Sequence, residues 1–186
     1  MDNGACSYRR FLDGDDRGLE ELVRDYKDGL IFFLLGFTGD FSTAEEHMQE
    51  TFFRLITRKP AFQEKYRFKT WLYTIARNVA VDYLRHQAKS APLPYEEAAA
   101  GLADERDLEQ SFLREEQKIS VRLALKKLPP DYRQTLWLLF FEELSPAEAG
   151  RVLKKSPRQM KNLVYRAKGA LKSELEKEGF EYEDYT

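Results

Sequence analysis

Two helix starts of the same design stand close together toward the end of the chain. Ser145-Pro146-Ala147-Glu148 places a serine before a proline and an acid three residues after the serine; Ser156-Pro157-Arg158-Gln159 repeats the arrangement with glutamine in the acid's place. In each, the serine side chain can accept a hydrogen bond from an orphan amide of the first turn. The Glu or Gln can reach back to the serine's own amide, and proline suits the first helical position because that position needs no N–H. Starts this close leave room for one short helix, a tight turn and a longer second helix, which is helix-turn-helix spacing.

The second of these helices divides into two faces. Met160, Leu163, Val164, Ala167 and Leu171 recur at helical spacing as an apolar stripe, while Arg158, Lys161, Asn162, Tyr165, Arg166 and Lys172 fall opposite or on its flanks. Over residues 144–177 nine cations stand against only three acids, so the outer face suits a helix lying on phosphates and reaching base edges.

The rest of the chain sorts by charge. Its net charge of -2 conceals a strong segregation of acids from bases, so local charge is more informative than the total. A single cysteine, Cys6, excludes an internal disulfide and fits a reducing cytoplasm, and with only His47 and His86 besides, no structural metal site is expected. The first residues lack the apolar core of an export signal. The apolar runs at 29–37 and 136–141 are too short to cross a bilayer, so a soluble, cytoplasmic protein is expected, with no membrane partner.

An all-α fold of two helical domains is expected: 1–90, then an acidic linker over 91–116, then 117–177, then an acidic tail over 178–186. Asp15 or Asp16 can start a helix through Leu22, Leu30 and Leu34 that ends near Gly36 or Gly39, and Ser42 or Thr43 can start the next. That helix turns Met48, Phe52, Leu55 and Ile56 inward, with Phe53 as an exposed aromatic, and Pro60 stops it. A loop over 61–70 rich in rings and cations leads to a helix over 71–86 whose inner side is Leu72, Ile75, Ala76, Val79 and Tyr83. Phe62, Tyr66, Arg67, Phe68, Lys69, Trp71, Tyr73 and Arg77 interleave as a single-strand binder requires, because rings stack unpaired bases at ~1–3 kcal/mol each while cations follow the backbone. About half of these rings are expected to be core. Pro92, Pro94, Gly101 and a run of carboxylates mark the linker as flexible, and a strongly apolar helix over 132–143 is expected as the platform for the two Ser-Pro helices.

Three segments, in order, carry a family resemblance: AEEHMQETFFRL at 44–55, FKTWLYTIARNVAVDYLR at 68–85, and LKKLPPDYRQTLWL at 125–138 followed by 144–171. The chain resembles the bacterial RNA polymerase sigma factors of the sigma-70 family, in the small extracytoplasmic-function (ECF) group. The resemblance implies a binding protein, not an enzyme, with no cofactor. Its implied partners are core RNA polymerase through its beta-prime clamp helices and beta flap, promoter DNA and, as a further candidate, an anti-sigma factor. By the same resemblance, Glu45, Glu46, Gln49, Glu50 and Phe53 would face the polymerase clamp. Phe68, Lys69, Trp71, Tyr73, Arg77, Asn78 and Arg85 would handle the minus-ten element; Arg158, Gln159, Lys161, Asn162 and Arg166 would enter the major groove at minus-thirty-five. Where the family carries glycine in the turn, this chain has Lys154, and a lysine held there in a left-handed conformation costs roughly 1 kcal/mol. His47 is expected to be packed and not a pH switch. Two rival readings are a stand-alone helix-turn-helix transcriptional regulator and a protein-interaction adaptor.

Overall fold

Every regular element among the described residues, 3–90, 121 and 123–177 of the computed structural model, is helical. The expected acidic linker, residues 117–120 and 122 of the second expected domain and the acidic tail lie outside those residues. Helix α1 (Asn3–Leu12) was not foreseen. It packs on α2 (Arg17–Thr38) with Tyr8 and Phe11 buried, and the close approach needs Gly18, where a β-carbon would run into the backbone of Ser7 and Phe11. The Tyr8 hydroxyl donates to the Pro60 carbonyl at 2.8 Å, tying this first helix to the loop that follows α3 (Phe41–Arg58).

Local chemistry sets the helix ends. Asp15 Oδ1 accepts from the Arg17 amide at 3.1 Å at the start of α2, and Gly39, in the left-handed region at φ 79°, closes it by donating its N–H to the Leu35 carbonyl. Gly36 stays helical, and its bare face receives Gln134. The cap of α3 is Asp40, not Ser42 or Thr43, because Asp40 Oδ1 accepts from the Thr43 amide at 2.8 Å. Helix α4 (Phe68–Ser90) begins three residues before the expected Trp71, and this changes which rings face inward.

In the second half the expected helix over 132–143 is realised in two parts. Helix α5 (Pro130–Leu136) widens into a π-helical turn (Trp137–Phe141), closed by the Glu142 amide on the Trp137 carbonyl at 3.1 Å. Helices α6 (Pro146–Leu153) and α7 (Pro157–Lys177) then follow at the two Ser-Pro starts. Both capping arrangements form. Glu148 Oε2 accepts from the Ser145 amide at 2.8 Å, and Gln159 Oε1 accepts from the Ser156 amide at 2.8 Å.

Lys154 closes α6 with φ 54° and ψ 44°, the left-handed geometry expected of the turn. A β-carbon is disfavoured there, so Lys154→Gly is expected to raise the unfolding free energy by about 1 kcal/mol, read as a higher midpoint in urea.

The main apolar core is a single cluster drawing on both halves: Leu30, Phe33, Leu34, Leu55, Leu72 and Ala76 from the first, Trp137, Leu138, Ala149, Val152 and Met160 from the second. Each large aliphatic side chain fully withdrawn from water contributes ~1.5–3 kcal/mol. A smaller cluster of Leu125, Leu128, Leu136 and Ala167 lies wholly within the second half. The two expected units are thus pressed face to face.

Two tyrosines in this core make the fold sensitive to alkali. Burial pushes the Tyr8 phenol from 10.0 up to about 12, and burial, followed by the Glu142 charge, holds the Tyr73 phenol well above its ordinary value. Both shifts are upward, so the folded chain keeps protons that the unfolded chain releases. The contribution is complete below pH 10 and is lost as the pH rises toward 12. The urea midpoint is expected to fall from about pH 10 upward, and Tyr8→Phe should make that fall shallower.

Candidate nucleic-acid interface

Helix α7 is held by its inner stripe: Met160, Leu163, Ala167 and Leu175 are buried, with Val164 and Leu171 partly covered. It lies against α6, whose Ala149, Val152 and Leu153 are buried and whose Gly150 faces the Lys155 carbonyl, where a β-carbon would come within 3.2 Å. The same geometry turns Arg158, Gln159, Lys161, Asn162 and Arg166 outward, all exposed. Gln159 spends its carbonyl oxygen on the Ser156 amide, which leaves its amide nitrogen as a donor. In the middle of these groups the Tyr165 ring is 82% exposed. Sequence reasoning placed Tyr165 on the outer face without assigning it a role; a large ring left in water among cations was the signal.

The second face is the aromatic loop and the start of α4. Here the structure corrects two expectations. Phe68 and Tyr73 have no exposed surface, so neither can stack on a base in this arrangement. Because α4 starts at Phe68, that ring sits one turn before Leu72 on the inward side and is surrounded by Tyr8 (5.6 Å between ring centres), Tyr26 (5.8 Å), Phe62 (5.5 Å) and Trp71 (5.4 Å). Trp71, Arg77 and Asn78 are half-buried, and Arg85 is exposed. Tyr83, expected inside, is largely outside, packed edge-on against His47 at 4.6 Å. The Arg77 guanidinium is drawn below its ordinary value, first by burial and then by the like charge of Arg85.

Lys69 already has an anion. Its Nζ lies 3.1 Å from Glu142 Oε2 and 3.1 Å from the Glu142 carbonyl. Thr70 is buried, its hydroxyl 3.4 Å from Glu148.

The third face lies on α3. Glu45, Glu46 and Gln49 are exposed, and Glu50 is partly covered and bonded to Arg54 at 2.7 Å. Phe53 is 58% exposed and Ile56, expected inside, is 40% exposed; with Val23, Met48 and Phe52 they line a groove between α2 and α3. His47 is packed as expected, with Nδ1 2.6 Å from the Thr43 carbonyl.

Comparison with known proteins follows this division of faces. Residues 22–90 match Sigma-70 region 2, and residues 118–171 match Sigma-70, region 4. The ECF RNA polymerase sigma factor SigC of Mycobacterium tuberculosis is 30% identical over 164 residues, covering 88% of this chain and 86% of its own length. The chain belongs to the sigma-70 family, in its ECF group. The ECF RNA polymerase sigma factor SigW of Bacillus subtilis is 29% identical over 170 residues, 87% of this chain and 91% of that protein.

Among solved structures, the fold of this sigma factor is similar to RpoE in its complex with the anti-sigma factor NepR from Bartonella quintana. The TM-score is 0.60 at 19% identity, over 85% of this chain and 96% of that one. It is also similar to CnrH in complex with the cytosolic domain of CnrY, with a TM-score of 0.59 at 20% identity, over 94% and 96%. Region 2 of the sigma factor thus carries α3 and α4 with their two faces, and region 4 carries the helix-turn-helix of α6 and α7. Among the described residues no helix is long and apolar enough to cross a membrane.

Proposed function

We propose that this sigma factor divides promoter recognition between its faces. Helix α3 docks on the polymerase clamp through Glu45, Glu46, Gln49, Glu50 and Phe53. Lys69, Trp71, Arg77, Asn78 and Arg85 hold the opened minus-ten strand, and α7 reads minus-thirty-five. The observation that carries this reading is the outer face of α7, where Arg158, Gln159, Lys161, Asn162 and Arg166 are all exposed on a helix whose opposite stripe is buried against α6. A helix anchored this way can lie in a major groove, its cations on phosphate and its amides on base edges.

Phe68 and Tyr73 leave the stacking set: Phe68 acts from beneath, as part of the floor on which Trp71 rests, and Tyr73 packs in the core against Phe33. Tyr165 joins the minus-thirty-five face, its ring available to thymine methyls or the sugar edge. The protein works by binding, in the cytoplasm, and performs no chemistry of its own. The solved complex of the similar sigma factor RpoE with an anti-sigma factor supports an anti-sigma partner for this chain as well.

Run-off transcription with purified core polymerase across a promoter library tests the reading. Site-specific initiation should require this chain. Arg166→Ala should weaken productive binding by roughly tenfold or more and reduce its salt dependence, since a good base or phosphate contact is worth ~1–3 kcal/mol. A stand-alone regulator would instead bind duplex DNA without polymerase, and failure to initiate on any template would overturn the proposal.

A further inference from the structure

The loop between α3 and α4 has little to hold it from within. It leaves α3 through Lys59, fixed in the left-handed region at φ 41°, and Pro60, whose ring sets the next backbone angle. Its internal backbone bond, the Tyr66 amide on the Gln63 carbonyl at 3.2 Å, closes only a single turn. Much of what fixes it comes from α1, a helix that precedes the stretch from residue 22 onward matched to Sigma-70 region 2. The Tyr8 hydroxyl donates to the Pro60 carbonyl at 2.8 Å, and the neighbouring Arg9 ion-pairs with Glu64 at the loop's turn. Lys59 Nζ sits 5.2 Å over the Phe11 ring. Helix α1 is itself seated on α2: the Ser7 hydroxyl donates to Glu21 Oε2 at 2.6 Å, and Arg10 bridges Asp15 at 2.6 Å and Glu21 at 2.9 Å.

The same tyrosine reaches Trp71. Only 1% exposed, its ring lies 5.2 Å from the Trp71 ring and 5.6 Å from Phe68, and Phe62 of the loop completes the set at 5.3 Å from Trp71. Trp71 thus rests on three rings, one from α1, one from the loop and one from its own helix. We propose that α1 is a brace for the minus-ten site, with Tyr8 as its positioning residue: its hydroxyl sets the loop, its ring sets the Trp71 indole, and together they shape the place of an unpaired base. Tyr8 is buried and touches no DNA itself. Phenylalanine would serve the packing equally well; the hydroxyl has its use in the Pro60 carbonyl. Groups already in place hold a base best, because a loop that must order on binding gives back in entropy part of what stacking contributes.

The brace rests on the proposed minus-ten role of the loop and α4, and the test keeps the two apart. Full-length wild type and Tyr8→Phe are each bound to core polymerase. Anisotropy then measures their affinity for a fluorescent single-stranded oligonucleotide of the minus-ten non-template strand, taken from the template that initiates best in the run-off library. The same strand is made with an abasic site at each position in turn. Wild-type holoenzyme should lose about tenfold at the position whose base is held, the worth of one stacked base. Tyr8→Phe keeps the ring and loses the hydroxyl, so its discrimination between intact and abasic strands should fall below about threefold. Its affinity for core polymerase should not change.

Should Tyr8→Phe misfold by circular dichroism, Arg9→Glu carries the test at an exposed residue outside the core. It must lower the same discrimination, by about two- to threefold, and Arg9→Glu with Glu64→Arg must restore it, a recovery that general loss of structure cannot produce. Wild-type discrimination in the folded variant overturns the brace. So does an equal loss on intact and abasic strands, or a matching loss of affinity for core polymerase, since either marks a purely structural role. If no abasic position weakens binding by the wild-type holoenzyme, the minus-ten reading itself fails and the brace with it; a wild type that discriminates beside a variant that does so equally sinks the brace alone.

Discussion

Phe68→Ala is expected to lower the unfolding free energy by about 3–5 kcal/mol, a large part of what a domain of this size possesses. The ring has no exposed surface and touches four other aromatic rings, and the ideal β-carbon of Gly4 would fall against it, so α1, the loop and α4 all close on this one side chain. Truncation leaves a cavity among rigid rings that cannot collapse to fill it. A ring that worked by stacking on DNA would behave differently: its alanine variant would unfold at the wild-type urea midpoint and lose only promoter opening. Urea unfolding followed by far-UV circular dichroism decides between the two. An unshifted midpoint would return Phe68 to the DNA-contacting set and take it off the inward face of α4.

Phe53→Asp is the reverse case, with a large loss of binding and little loss of stability. The ring is 58% exposed at the rim of the groove formed by Val23, Met48, Phe52 and Ile56, so the folded chain alone gains little from it. Buried under a partner, a single aromatic anchor is commonly worth ~2–4 kcal/mol, and aspartate adds the penalty of a desolvated charge. Affinity for core polymerase should therefore fall by at least about a hundredfold, while the thermal midpoint moves little. Biolayer interferometry against immobilised core enzyme, paired with a thermal melt, measures both. Wild-type affinity in Phe53→Asp would place the docking surface elsewhere than α3.

These two phenylalanines show where sequence reasoning succeeds and where it stops. Phe53 was legible because its neighbours Met48, Phe52 and Leu55 took the inward positions at helical spacing and left it outside. Phe68 was not, because assigning its segment to a loop removed it from the helical phase. Extending that phase back one turn from Leu72 and Ala76 would have placed it inside. Helix α1 went unseen because an isolated pair, Tyr8 and Phe11, is too short a pattern to register.

The sequence by itself determined the helix starts and stops around the helix-turn-helix. Ser145 with Glu148 and Ser156 with Gln159 were readable, because capping bonds join residues three positions apart, and the left-handed Lys154 followed from the family resemblance. The order of the two regions followed from the motifs in the same way. Only the tertiary structure decided which rings turn inward and which cations are already engaged. Glu142 and Lys69 are 73 positions apart, and no local pattern marks them as partners; their pairing depends on where the shared core of regions 2 and 4 seats the π-helical turn against α4.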